Sequence, residues 1–205
     1  MPKLVDPEER RRELAEAVWR VIRRDGLEHA SVRNVAREAN LSMGSLRHYF
    51  ASQDDLLTFA LRLIIDRIEA RIAALPPLGD PRARAEQVLA ELLPLDAERR
   101  AENEVWLAFT ARSLVHPELS ALRDEGYETL RSGCAGLIRA LLPAGTPEPA
   151  LDLETDRLHA LLDGLAVHAA MRPALVGSDR MRSIVAAHLD ALTAPPGCTE
   201  PPDAR

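Results

Sequence analysis

Residues 31–57 read SVRNVAREANLSMGSLRHYFASQDDLL, and two short helical patterns meet inside that run. Val32, Val35, Ala36 and Ala39 recur at helical spacing and predict one buried face. Asn40, Leu41 and Ser42 break the pattern. Asn tolerates the left-handed backbone that ends a helix, and the Ser42 hydroxyl can accept an early N–H of the next one. Leu41 and Leu46 are spaced for a hydrophobic staple that fixes the entry angle. The second helix is too short to stand alone, so its neighbours must hold it. Ser52 and Asp55 have the spacing of a capping box and predict the start of a further helix. Two helices joined by a three-residue turn across 31–50, the second presenting Ser45, Arg47, His48 and Tyr49 outward, predict a helix-turn-helix that reads DNA.

Outward from this run, every segment with a clear period is helical. Asp6-Pro7-Glu8-Glu9 starts a first helix with a cap, a proline in the first turn and acids at the positive end of the dipole. Its stripe is Leu14, Val18, Val21 and Ile22 with Trp19 beside it, and Gly26 stops it. The helix begun at Ser52 runs through Phe59, Leu63, Ile64 and Ile68 to about Leu75, where two prolines end it. Further helices are expected near 81–93, 97–115, 117–141, 152–172 and from 178 onward. Arg82 and Arg84 stand at the unfavourable end of the dipole and blur the start of the fifth. PAGTPEPA, 143–150, reads as an irregular loop, and residues 195–205 as a disordered tail. No segment alternates like a strand. The expected fold is all-α with about nine helices, a reading head over 8–68 and a body over 69–194.

The chain has 205 residues, 46% of them hydrophobic and 28% charged, an ordinary globular balance. No apolar run approaches the ~20 residues of a membrane span, and MPKLVDPEERRR lacks an apolar signal core, so a cytoplasmic protein is expected. Cys134 and Cys198 have no metal or redox spacing and read as free thiols. The net charge of −6 argues against a non-specific nucleic-acid coat, which needs a broad basic surface. Its distribution is more informative. Basic and acidic residues balance up to residue 56, whereas 31–50 holds Arg33, Arg37 and Arg47 against Glu38 alone. An acidic body with a locally basic head suits a protein that touches a few phosphates.

The run Leu41-Ser42-Met43-Gly44-Ser45-Leu46-Arg47-His48-Tyr49-Phe50, followed by Ser52 and Asp54-Asp55-Leu56-Leu57, resembles the DNA-binding domain of the TetR (tetracycline-repressor-like) family of bacterial regulators. The likeness covers roughly residues 8–68. It implies a homodimeric regulator, most simply a repressor, released from a palindromic DNA operator by a small effector. It also implies DNA contacts from Ser31, Arg33, Ser42, Met43, Gly44, Ser45, Arg47, His48, Tyr49 and Gln53. Two positions depart from the pattern. Arg47 stands where the family more often has Tyr, and Gln53 stands where it usually has a phosphate-gripping Lys. The major groove admits one α-helix, and an Arg there can take guanine O6 and N7 together. One short helix reads too few base pairs for genomic selectivity, so a two-fold dimer is expected, built on the apolar stripes of the eighth and ninth helices.

For the body, the resemblance implies an effector cavity among the fourth to eighth helices. Trp106, Phe109, Arg112, His116, Tyr127, Cys134 and His168 are the candidate lining residues, and the aliphatic interior predicts a largely apolar ligand. Gly126, Gly133 and Gly136 weaken the seventh helix and are expected to permit close packing or leave room for that ligand. The competing reading, a small helical enzyme or metal-binding protein, rests on His159 and Asp163 at i, i+4. That pair alone is a weak zinc signal, and no phosphate loop, nucleophile elbow or HExxH run is present. No cofactor, metal or catalytic residue is therefore assigned from the sequence.

Overall fold

The computed structural model describes residues 7–193, with side chains from residue 9. The cap expected at Asp6, the tail 195–205 and Cys198 lie outside the described residues. Nine α-helices and no strands occur among those described: α1 Pro7–Asp25, α2 Val32–Glu38, α3 Met43–Arg47, α4 Gln53–Ala74, α5 Pro81–Leu92, α6 Ala97–Ser113, α7 Ser120–Leu141, α8 Glu148–Met171 and α9 Ser178–Thr193. Short 3₁₀ turns, Leu27–His29 and Pro117–Leu119, precede α2 and α7.

The helix ends follow local chemistry. Gly26, at φ 85°, takes a backbone conformation that side chains resist, and its N–H closes on Ile22 O. Ser31 caps α2 by accepting Asn34 N–H, and Asn40 ends it with φ 54°. Ser52 and Asp55 form the complete reciprocal capping box of α4. Asp80 caps α5 by accepting the N–H groups of Arg82 and Ala83, which settles a start that its arginines made unclear. Arg82 itself bridges Glu86 and Asp190.

Two boundaries differ from expectation. The helix expected from 152 begins at Glu148, because Pro147 and Pro149 occupy the cap and first turn, where a missing N–H costs nothing. The reading helix α3 stops at Arg47, leaving His48 and Tyr49 in the turn that follows.

The apolar side chains form two cores. The first joins Leu14, Val18, Trp19 and Ile22 of α1, Val35 and Ala36 of α2, Leu46 of α3, Phe50, and Leu56, Leu57, Leu61 and Ile64 of α4. It continues into the body through Ala101, Val105 and Phe109 of α6 and Leu122 of α7. Phe50 and Phe59 meet edge to face at 5.0 Å. The second core joins α5, α7, α8 and α9 through residues such as Leu89, Ile138, Leu158, Leu162 and Leu189. Helix α6 therefore serves the reading head on one side and faces the body on the other.

Candidate DNA-reading surface and effector cavity

The reading head sorts its side chains cleanly. Leu46 and Phe50 are buried, while Ser42, Met43, Gly44, Ser45, Arg47, His48 and Tyr49 are all exposed, as is Arg33 on α2. This division follows from α3 itself: one and a half turns give a single inward position, and the rest must face out. The Ser42 hydroxyl accepts Ser45 N–H at 3.0 Å and lies 2.9 Å from the Ser45 hydroxyl, so this pair orders the start of α3. Arg33 and Arg47 have no ion-pair partner among the described residues. By contrast, Glu38, the one acid in 31–50, is held by Arg20 and Arg24 of α1, each at 2.8 Å. Those guanidinium groups keep its carboxyl below the usual range. The exposed face of α2 and α3 thus carries positive charge with its acid already neutralised.

Two further candidate DNA contacts are, like Ser42 and Ser45, engaged locally. Ser31, partly buried, caps α2. Gln53 remains exposed, but its amide N–H donates to Ala30 O at 2.9 Å, tying the start of α4 to the entry of α2.

In the body, a cavity of about 280 Å³ opens between the two cores. Helix α4 supplies Leu61, Ile64, Ile65, Ile68 and Ile72, α5 supplies Val88 and Leu92, and α7 supplies Leu130 and Leu137. Trp106 of α6 walls one side against Gly126, where an added Cβ would sit 3.5 Å from the indole; Gly133 leaves open space. An added Cβ would be accommodated at both positions, so packing requires glycine at neither. Glu69, Glu102 and Asp163 also line the cavity, with no Lys or Arg among the lining residues.

Of the seven sequence candidates for this cavity, Trp106 alone lines it. Phe109 is fully buried in the head's core, 60° around α6 from Trp106. Arg112 lies beyond the cavity and pairs with Asp54 at the start of α4. His116 contacts Glu118 at 3.1 Å in the next loop. Tyr127 stacks on His159 at 4.6 Å. Cys134 is a free buried thiol pushed up to about 11 by desolvation, and His168 is exposed. His159, read in the sequence as half of a weak zinc signal, is buried, with Nε2 3.7 Å from Asp163 Oδ2. Burial pushes the Asp163 carboxyl up, partly offset by His159.

An ion-pair network, missed in the sequence, joins the cavity wall to α4. Arg71 grips both oxygens of buried Glu102 at 2.7 Å and bonds Glu91 of α5 at 2.9 Å. Glu91 also holds Arg99, which pairs with Asp96. One turn before Arg71, Arg67 pairs with Glu98 and lays its guanidinium 4.7 Å over the Trp19 ring of α1. The available signal was the matching i, i+4 pairs, Arg67 with Arg71 and Glu98 with Glu102, on helices with otherwise apolar stripes.

Comparison with known proteins bears on both halves. Residues 14–58 match the family described as bacterial regulatory proteins, tetR family, and residues 81–194 match the BetI-type transcriptional repressor C-terminal family. The chain is 40% identical to the HTH-type transcriptional regulator PksA of Bacillus subtilis (strain 168), over 94% of each chain. It is 32% identical to the regulator BetI of Burkholderia thailandensis, over 95% of this chain and 99% of the relative. Among solved structures, a transcriptional regulator from Rhodococcus sp. Rha1 superposes with a TM-score of 0.76 at 32% identity, covering 91% of this chain and 99% of its own. A putative regulator from Saccharomonospora viridis in complex with choline gives 0.72 at 26% identity, covering 89% and 96%. The multidrug binding protein EbrR complexed with ethidium gives 0.64 at 27% identity, covering 88% and 98%. With an exposed reading helix on a three-helix head, a cavity in the body and matches spanning both, the chain belongs to the TetR family of bacterial transcriptional regulators.

Proposed function

We propose that the chain is a homodimeric repressor, acting in the cytoplasm through binding rather than catalysis, and released from a palindromic operator by a small organic cation with an apolar body. The observation that carries the ligand class is the lining of the cavity. Aliphatic side chains and one indole face enclose it, while its charged groups, Glu69, Glu102 and Asp163, are all acidic. Arg71 already holds Glu102 and Glu69 is exposed to water, so the carboxylate that a neutral ligand would leave poorly compensated is Asp163. A cation against the indole and that partly desolvated carboxylate gains on both counts. Choline in the S. viridis regulator and ethidium in EbrR are cations of this kind, bound to those proteins.

The signal route follows from Glu102. Its carboxylate lies on the cavity wall and is held by Arg71 of α4. A cation near Glu102 competes with Arg71 for the same oxygens and loosens α4, which begins beside the reading helix. Coupling of ~1–3 kcal/mol is enough to change operator affinity about 5- to 150-fold.

The dimer reading is supported by the outer face of α8. Ala160, Gly164, Val167 and Met171 repeat along it, and Met171 is 71% exposed. Small residues in the middle permit close approach of a second copy. Ala187 and Ala191 of α9 are likewise exposed. A two-fold pair of heads then meets half-sites about 34 Å apart. For the DNA contacts we retain Arg33, Met43, Gly44, Arg47, His48 and Tyr49 as direct partners, with Ser31, Ser42, Ser45 and Gln53 ordering the helix starts that face the phosphates.

The ligand class is tested by calorimetry with choline and its uncharged isostere 3,3-dimethylbutan-1-ol. Choline binding at least tenfold tighter supports the reading, and equal affinity for the two refutes it. A gel shift with the DNA flanking the gene tests operator binding. Retention of the complex at saturating choline would sink the release mechanism.

A further inference from the structure

The body reaches back to the reading head at a second place, remote from the cavity lining. Asp54, the second residue of α4, is gripped by Arg112 through Nε and, at 3.2 Å, through Nη2. His116, in the connection after α6, and Glu118, in the 3₁₀ turn beyond it, complete the cluster. One ligand atom each of Asp54, His116 and Glu118 lies within 4.8 Å of the others. His116 and Glu118 share one connection, and the fold alone brings Asp54 of the head to these two residues of the body.

We propose that Asp54, His116 and Glu118 form a regulatory site for a divalent transition-metal ion that bridges head and body. One imidazole nitrogen and two carboxylate oxygens make a borderline donor set, suited to Zn²⁺, Co²⁺ or Ni²⁺ rather than to Mg²⁺ or Ca²⁺, which prefer oxygen ligands alone. Tetrahedral donors around such an ion stand about 3.4 Å apart at metal–ligand distances near 2.1 Å. The present spacing closes to that by side-chain rotation, since all three groups are partly exposed. The remaining coordination positions face solvent.

Arg112 is the local competitor. It already supplies positive charge to Asp54, and its side chain is 45% exposed, so it can leave for water without stranding a buried charge. A doubly charged ion bonded directly to Asp54 and Glu118 replaces one guanidinium and neutralises both acids. Because Asp54 follows Gln53 at the mouth of α4, the ion would pin the head to the α6–α7 connection. The site shares no residue with the His159–Asp163 pair and does not depend on the organic effector.

Co²⁺ is the probe, titrated into the metal-free full chain and followed by its visible ligand-field bands. We expect one equivalent per chain, with affinity lowered at least tenfold in both His116→Ala and Asp54→Asn, each variant first shown to be folded by its melting transition. His116 and Glu118 alone would make an adventitious pair in one loop, so the Asp54 variant decides whether the head takes part. Wild type lacking ligand-field bands, or Asp54→Asn binding as tightly as wild type, overturns the proposal. So does His116→Ala retaining full affinity, which would place any bound ion elsewhere.

Discussion

Arg47 is exposed, unpaired and on the reading helix, and it stands where the family more often carries Tyr. Arg47→Ala is expected to weaken operator binding by ten-fold or more per subunit, because a bidentate base contact is worth about 1–3 kcal/mol. Its melting temperature should not move, and fluorescence anisotropy beside a thermal melt separates the two effects. Gln53→Lys adds a charge at the start of α4 and should steepen the salt dependence of binding by roughly 0.9 in log–log slope per subunit; equal slopes would refute a phosphate there. At this scale the head was legible in the sequence and the cavity was not. The inward or outward direction of each head residue follows from one short helix with one buried position, Leu46. Trp106 and Phe109 read alike, three residues apart on one stripe. Because α6 lies between two cores, a 60° rotation decides which of them lines the cavity, and periodicity does not resolve that.

Among the elements, α4 and α7 carry the clearest expectations. Ser52→Ala removes one half of the α4 capping box and should cost about 1 kcal/mol, lowering the melting temperature by roughly 2–4 °C for a chain of this size. Gly133→Ala should raise stability by up to ~1 kcal/mol, since an added Cβ meets nothing within 4 Å and helix propensity improves. Gly133→Phe instead fills the cavity and should abolish choline release of the operator while leaving DNA affinity intact. The caps at Ser42 and Ser52 were readable because each is a local hydrogen bond between a side chain and its neighbouring backbone, and Ser31, read only as a DNA contact, caps α2 in the same way. The start of α8 was misread because Pro147 and Pro149 resemble loop punctuation, although the first turn tolerates them. The Arg71–Glu102 pair was legible only as two charges on separate helices. What joins them is a tertiary packing that no window of sequence contains.

For the molecule as a whole, binding and stability pull against each other at Asp163. Burial raises its carboxyl above the ordinary 3.8 in the folded state. Its contribution to stability is therefore present below the unfolded pKa and is lost as pH rises through the higher folded value. At neutral pH the ionised group is a net cost that the proposed cation would offset. Asp163→Asn should thus melt higher than wild type at pH 7, with the difference closing toward pH 3.5, and should bind choline more weakly; an unchanged choline affinity would remove Asp163 from the ligand site. Removing Glu102 acts in the other direction, because Arg71 is then left without its main partner. Glu102→Ala should cost about 3 kcal/mol and weaken the response to ligand beyond that loss. The first core sets a further limit, one that concerns engineering. Since Val105 and Phe109 of α6 are as deeply buried against the head as Leu46 is, residues 8–68 are not a transferable module. A chimaera that grafts this head onto another family member's body should fold and bind its operator only if the recipient's sixth helix is recut to present the same apolar surface. A graft joined at residue 68 without that change is expected to aggregate on expression.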